Sequence, residues 1–410
     1  MIILDNNATH LTHAGDLEID LRPAFDVQLR YTAWHSGLRL ERRTGRKWQA
    51  ETIDPGLALI PNENGPEHGT DVQEFIQEIP EAIRQRIAPF YYHQSTLLCW
   101  IARDHYAMDL LISNSVLLWL LVDYALSSHW SEKEIHQALK LKQKDLLKIL
   151  IREADPPSPR LLRKITLNHG DSNELRAIIW TLKSREIEIR LRHCRTIPIQ
   201  IVNFVYRFPD LRHFELMNYY INLDFSDTPF FTEQAMLMEA SALRTTIEDI
   251  KRVGLHLERI SDSNMNLDMR IAQCKNPQQL ISLHDNLTQI FNRIAHHTPS
   301  PSINHFPDPP VPGVNGIVEP ILSNEELIAE GKHLQHCVAS YADKAKNRQS
   351  YFYRILKPER ATLEIKYNRT QPTVLQCCGR KNKKPSAETL EYINEWLAQH
   401  FKSIITPDQD

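Results

Sequence analysis

A mostly helical fold with α+β parts is the class that this chain's hydrophobic pattern predicts. Apolar residues alternate between positions 17 and 60, take a helical period from 71 to about 294, and alternate again beyond a Pro-rich stretch. With 42% hydrophobic residues in 410, there is apolar mass for two or three buried cores. The expected organisation is a β-rich module over residues 1–70, a helical domain over 71–295, a linker over 296–318 and a C-terminal domain over 319–410.

In the first module Phe25, Val27, Leu29 and Tyr31 alternate, Leu38 and Leu40 follow, and Thr44-Gly45-Arg46 supplies a turn before Trp48. This reads as a small antiparallel meander. In the helical region Ser131 and Glu134 form a capping box ahead of Ile135, Leu139, Leu146, Ile149 and Leu150, and the run should stop before Pro156-Pro157. Asp171 and Glu174 open another helix through Leu175, Ile178, Ile179 and Leu182. Short Pro, Asn or Gly breaks between helices predict a large helical body, either a bundle or a solenoid-like stack. Residues 110–122 are the most apolar segment, too short to span a bilayer, and are expected to form a buried core helix.

Six prolines between His296 and Gly316 cannot continue a helix and mark the expected linker. Beyond them, Ser323 with Glu326 makes a capping box, Leu322 and Leu327 a hydrophobic staple, and a helix is predicted over 324–345. Strands are predicted over 351–356, 361–367 and 373–378. Pro385-Ser386 then opens a last helix whose Leu390, Ile393, Leu397 and Phe401 form an apolar stripe. The C-terminal order is thus α-β-β-β-α.

Composition excludes some function classes. Only 12 glycines are present, and there is neither a Walker-type loop nor a dinucleotide fingerprint. The net charge of −3 demands no polyanionic partner, but residues 321–410 carry 14 Lys and Arg against 11 Asp and Glu, a mildly basic +3 on an acidic remainder. Six scattered cysteines and an N-terminal run without a basic-then-apolar pattern point to a reducing, cytoplasmic setting with no membrane insertion.

Chemistry-bearing residues concentrate in the last domain. On a continuous helix, Glu330, His333, His336, Cys337 and Ser340 would share an arc of about 120°. Strand alternation puts Thr362, Glu364 and Lys366 on one side and Leu363 and Ile365 on the other, while Gln376 lies opposite Leu375 and Cys377. His336, Cys337, Tyr341, Glu364 and Gln376 are therefore expected to converge as catalytic residues on one cleft. The run Arg380, Lys381, Asn382, Lys383, Lys384 would border it as a phosphate-binding or nucleic-acid-binding loop.

The string Leu322-Ser323 to Leu327, Glu330-Gly331, His336-Cys337-Val338 and Tyr341, followed by Ala361-Thr362-Leu363-Glu364, Gln376, Gly379, Asn382 and Trp396, resembles the PcfJ-like family. Upstream, Gln279-Leu280 and Leu283-His284-Asp285 resemble a segment preceding that domain in longer members, so the resemblance covers about residues 280–401. It implies a bacterial protein of conjugative plasmids or other mobile elements and does not by itself imply a reaction.

Several pairs of readings stand side by side. Cys337 with His333 has the spacing of a nucleophile and its base, against simple packing of a buried thiol. His336 could exchange a proton with Glu364. His333, His336 and Cys337, with Cys377 or Cys378, could hold a divalent metal, against a merely polar helix edge. Glu364-Ile365-Lys366 has the acidic-x-Lys spacing of restriction-type nucleases, against chance. The basic run is either a phosphate contact or a solvated turn. His284-Asp285 is expected to cap or hydrogen-bond at the surface, and Tyr91, Tyr92, Trp119 and Tyr124 to be core. Two functions follow: a nuclease or other phosphate-ester enzyme using His336 and Glu364, or a non-enzymatic accessory protein. The accessory protein would bind DNA or a protein complex through the helical body and the basic loop.

Overall fold

The computed structural model describes residues 4, 7–62, 68–151, 159–210, 214–223, 233–261, 265–297, 305–367 and 372–405. Contacts divide the chain into two units, Met1–His213 with Met217–Leu237, and Phe214–Leu216 with Met238–Asp410. The helices from Met238 onward therefore cluster with the C-terminal strands and not with the helices before them.

The first unit opens with β1 (Thr9–Leu11), β2 (Leu17–Asp20), β3 (Gln28–Tyr31), β4 (Leu40–Thr44) and β5 (Lys47–Ala50), an antiparallel meander in sequence order. Leu17 pairs with Tyr31 and Ile19 with Leu29, so these four meet on one buried face, whereas Phe25, expected in the same alternation, ends a short helix over Arg22–Phe25 and is 60% exposed. Gly45 closes the β4–β5 hairpin at φ +62, the conformation required at the first central position of a two-residue turn. Helices follow from Thr70–Gln77 onward.

The apolar run lies within helix His105–Ser127, which has the length and hydropathy of a membrane span. Its Leu111, Leu117, Trp119 and Leu121 are fully enclosed by protein, so it serves as a core helix. Asn114 breaks its regular backbone: the side-chain Oδ1 accepts from Leu117 N and restarts the helix, while Nδ2 donates to the Pro159 carbonyl. Trp119 Nε1 donates to the Tyr92 carbonyl at 2.7 Å.

Both halves of the Ser131–Glu134 box form, but the helix expected beyond it is two helices, Glu132–Leu139 and Gln143–Leu150, because Lys142 is extended. The expected stop at Pro156-Pro157 lies outside the described residues. Asp171 caps its helix as expected, whereas Glu174 turns back to accept from His169 N and Gly170 N.

In the second unit, α1 (Glu233–Ser261) and α2 (Pro277–His297) precede β6 (Val318–Pro320), α3 (Asn324–Leu334), β7 (Tyr351–Ile355), β8 (Ala361–Tyr367), β9 (Pro372–Cys378) and α4 (Ala387–Ile405). The strands form one antiparallel sheet in the order β9-β8-β7-β6. Strand β6 went unread in the sequence because three residues are too few for a visible alternation.

The expected linker is also more structured than its prolines suggest. Residues 298–304 lie outside the described residues, but His305 bridges to Ser323, and Phe306 and Val311 are buried, Val311 in the sheet core. Proline forbids helix here without forbidding packing.

One face of the sheet, with Tyr353, Ile355, Ala361, Leu363 and Ile365, packs on Ile393, Trp396 and Leu397 of α4. A bulge at Leu375, between the Glu364–Gln376 and Ile365–Val374 pairs, returns Cys377 to this face and turns Gln376 and Cys378 to the other.

His93 in the first unit provides a test of buried charge. Its Nε2 lies 3.1 Å from Asp123 and its Nδ1 3.8 Å from Asp54. Burial opposes the charged ring, but the two carboxylates outweigh it and raise its pKa above 6.5. A raised folded pKa stabilises fully below the unfolded value, and that contribution is lost as pH rises through the folded one. His93→Gln should therefore cost more stability at about pH 6 than at alkaline pH, read from urea unfolding at each.

Candidate functional site

The opposite face of the sheet builds the site. Cross-strand register aligns two rows there, Arg354–Thr362–Cys378 and Phe352–Glu364–Gln376. Thr362 and Glu364 are buried although polar, because β8 is covered on both faces. Buried polar groups need partners, and these rows have them.

Above the rows runs the segment after α3. The helix expected to continue to residue 345 ends at Leu334: Gln335 takes a left-handed conformation at φ +56, and His336 N donates to the Gly331 carbonyl. This is a Schellman-type stop with Gln in place of the usual Gly. Gly331 suits the close approach, since a β-carbon there would stand 3.1 Å from the His336 carbonyl and press on the reversal. Asn292 of α2 donates its amide to both the Gly331 and His336 carbonyls, holding the reversal. The chain continues as a 3₁₀ turn, Cys337–Tyr341, so His333 stays exposed on α3 while His336 and Cys337 are turned inward. The expected pairing of His333 with Cys337, and the metal set containing both, do not form.

Glu330, 1% exposed on α3, accepts from Arg354 Nε at 3.0 Å, Arg360 Nη2 at 2.6 Å and Thr362 Oγ1 at 3.1 Å. Thr362 gives its single hydroxyl proton to Glu330, so it can only accept from His336 Nε2, 2.9 Å away. This fixes the tautomer: Nε2 carries the proton and Nδ1, buried and without a hydrogen-bond partner, keeps its lone pair. Burial, with nearby His284 adding to it, pushes the His336 pKa down to about 4.

Glu364 accepts from Ser350 Oγ at 2.6 Å and Gln376 Nε2 at 2.7 Å. Its cation is Lys344 at 3.5 Å, while Lys366 of the acidic-x-Lys triplet is exposed.

His336, Cys337, Tyr341, Glu364 and Gln376 all line one pocket, with Val338, Phe352, Thr362, Cys378 and Asn382. It encloses about 280 Å³ of empty space, part of it open solvent, but only about 20 Å³ admits the centre of a water molecule. That is room for one water. At the rim Arg380, Lys381, Lys383 and Lys384 are exposed and make no ion pair among the described residues. Arg380 Nε donates to Gln335, and Asn382 is the loop residue that enters the lining.

Cys337 and Tyr341 meet a residue that the sequence reading missed. Asp249 of α1 accepts from the Tyr341 hydroxyl at 2.6 Å and from Arg252 at 2.7 Å on Oδ1, while Oδ2 lies 3.6 Å from Cys337 Sγ. Burial and the Asp249 charge push the Cys337 thiol and the Tyr341 phenol well above their usual ranges, so both keep their protons. His284, expected at the surface, is buried, and donor atoms of Asp249, His284 and Cys337 lie within 4.8 Å of one another. The available signal was a carboxylate four residues before Val253 of α1's apolar stripe, too weak to single out.

Glu330→Ala should cost about 3–5 kcal/mol in urea unfolding of the full chain, because two guanidinium groups lose their shared buried partner. Asn292→Ala should cost about 1–3 kcal/mol by taking an amide from two buried carbonyls.

Residues 260–394 match the protein-family model described as PcfJ-like protein, about a third of the chain. Comparisons with the curated proteins and with the solved structures each return no match. The matched segment runs from the end of α1 into α4 and contains every residue lining the pocket, leaving Asp249 just outside. Over this segment the chain is similar to the PcfJ-like protein family.

Proposed function

We propose that the second unit acts on nucleic acid for a bacterial mobile element such as a conjugative plasmid, as a nuclease or phosphate-ester enzyme. In this reading the pocket supplies acid–base groups and the basic loop holds phosphate. The observation that carries it is that one pocket is lined by His336, whose buried Nδ1 keeps its lone pair, by Glu364, held by two hydrogen bonds, and by Asn382 of the exposed basic loop. His336 is neutral and fixed in tautomer, the state of a proton acceptor. A one-water space beside it suits an attacking water rather than a whole nucleotide, so the polymer would lie outside along residues 380–384. The protein would work in the cytoplasm, with the helical body serving protein partners.

The narrowness of the pocket favours a second reading. With Cys337 and Tyr341 protonated and little room for substrate, the same residues would be a structural polar network. The protein would then be an accessory that binds DNA, or a protein complex, without turnover.

Incubation with single- and double-stranded DNA and RNA, with and without divalent metal, separates the two. The enzymatic reading expects cleavage reduced about 10²–10⁴-fold in Glu364→Gln and His336→Gln. The accessory reading expects salt-sensitive binding with no cleavage, the slope of log affinity against log salt falling by about one per cation removed at Lys381, Lys383 or Lys384. The absence of both cleavage and salt-sensitive binding would remove nucleic acid from the function altogether.

A further inference from the structure

We propose that Asp249, His284 and Cys337 form a binding site for a divalent transition-metal ion, Zn²⁺ by its chemistry. The three side chains come from α1, from α2 and from the turn after α3, yet their donor atoms gather within 4.8 Å, and each residue is at most 6% exposed. A thiolate, an imidazole and a carboxylate together suit Zn²⁺, whereas Mg²⁺ and Ca²⁺ prefer oxygen alone.

The surroundings prepare each donor. Asp249 uses Oδ1 for Tyr341 and Arg252, which leaves Oδ2 directed at Cys337. His284 Nδ1 lies 3.2 Å from Asp285 Oδ1, and since a carboxylate only accepts, Nδ1 carries the proton and Nε2 keeps the lone pair. A second carboxylate on the far nitrogen is the usual way a ligand histidine is oriented. The competing contact to Nε2, from Thr288 Oγ1, is long at 3.4 Å.

Binding would break the Cys337 S–H bond, release that proton to solvent and form the S–metal bond. The charges then cancel, with the ion and Arg252 set against Cys337, Asp249 and Asp285. Cys337 also lines the pocket, so a water there can fill the fourth position. The site stands whether or not the pocket catalyses.

The full chain, incubated with Zn²⁺ and desalted, should retain one equivalent by elemental analysis, and Co²⁺ in its place should give a thiolate-to-cobalt charge-transfer band. Cys337→Ser should abolish the band, and Cys378→Ser, in the same pocket but outside the trio, should leave it. Tyr341→Phe, which frees Asp249 from one of its two fixing bonds, should weaken affinity about 10–100-fold. Folded wild-type protein without stoichiometric metal overturns the proposal. So does a band that survives Cys337→Ser or disappears in Cys378→Ser. Because the wild-type content and the Cys378→Ser spectrum need no folded Cys337 variant, the proposal stays open to refutation if Cys337→Ser fails to fold.

Discussion

The second unit depends on one buried carboxylate. Glu330 takes charged hydrogen bonds from Arg354 on β7 and Arg360 just before β8, together with the Thr362 hydroxyl, and so ties α3 to the middle of the sheet. A buried carboxylate with two guanidinium partners is over-satisfied in charge and strictly directional in geometry. That directionality passes to His336 through a single threonine proton. The same bond set that fastens a helix therefore also decides which imidazole nitrogen is bare.

The central strand explains why such groups are buried at all. Apolar residues on one face of β8 meet α4, and the turn after α3 covers the other, so polar side chains at alternating positions lose water on folding. Each must then be partnered from its surroundings. Thr362 finds Glu330 and His336, and Glu364 finds Ser350, Gln376 and Lys344. The bulge at Leu375 matters for the same reason, because without it Gln376 and Cys378 would not share the face of Glu364.

Much of the fold was legible because it rests on local rules. The N-terminal meander, the core helix around Trp119, the Ser131 and Ser323 caps and the three longer C-terminal strands follow from periodicity and capping. The departures arise where tertiary contacts override local preference. Residues 324–345 read as one helix because nothing in Gln335 forbids it. What stops it is the pair of carbonyls held by Asn292 from another helix. His284 read as a surface residue because adjacent helix positions point about 100° apart and so form no dyad with Asp285, yet the ring is buried beside Cys337.

Alternation and the PcfJ-like pattern were enough to bring His336, Cys337, Tyr341, Glu364 and Gln376 to one pocket on paper, and the five do line one pocket. What each one faces came from packing in three dimensions. Asp249 lies 88 residues before Cys337, Lys344 stands beside Glu364, and His333 leaves the group while His284 enters it. Strand alternation and capping are set by neighbours in the chain, whereas hydrogen-bond partners and charge compensation are set by neighbours in space.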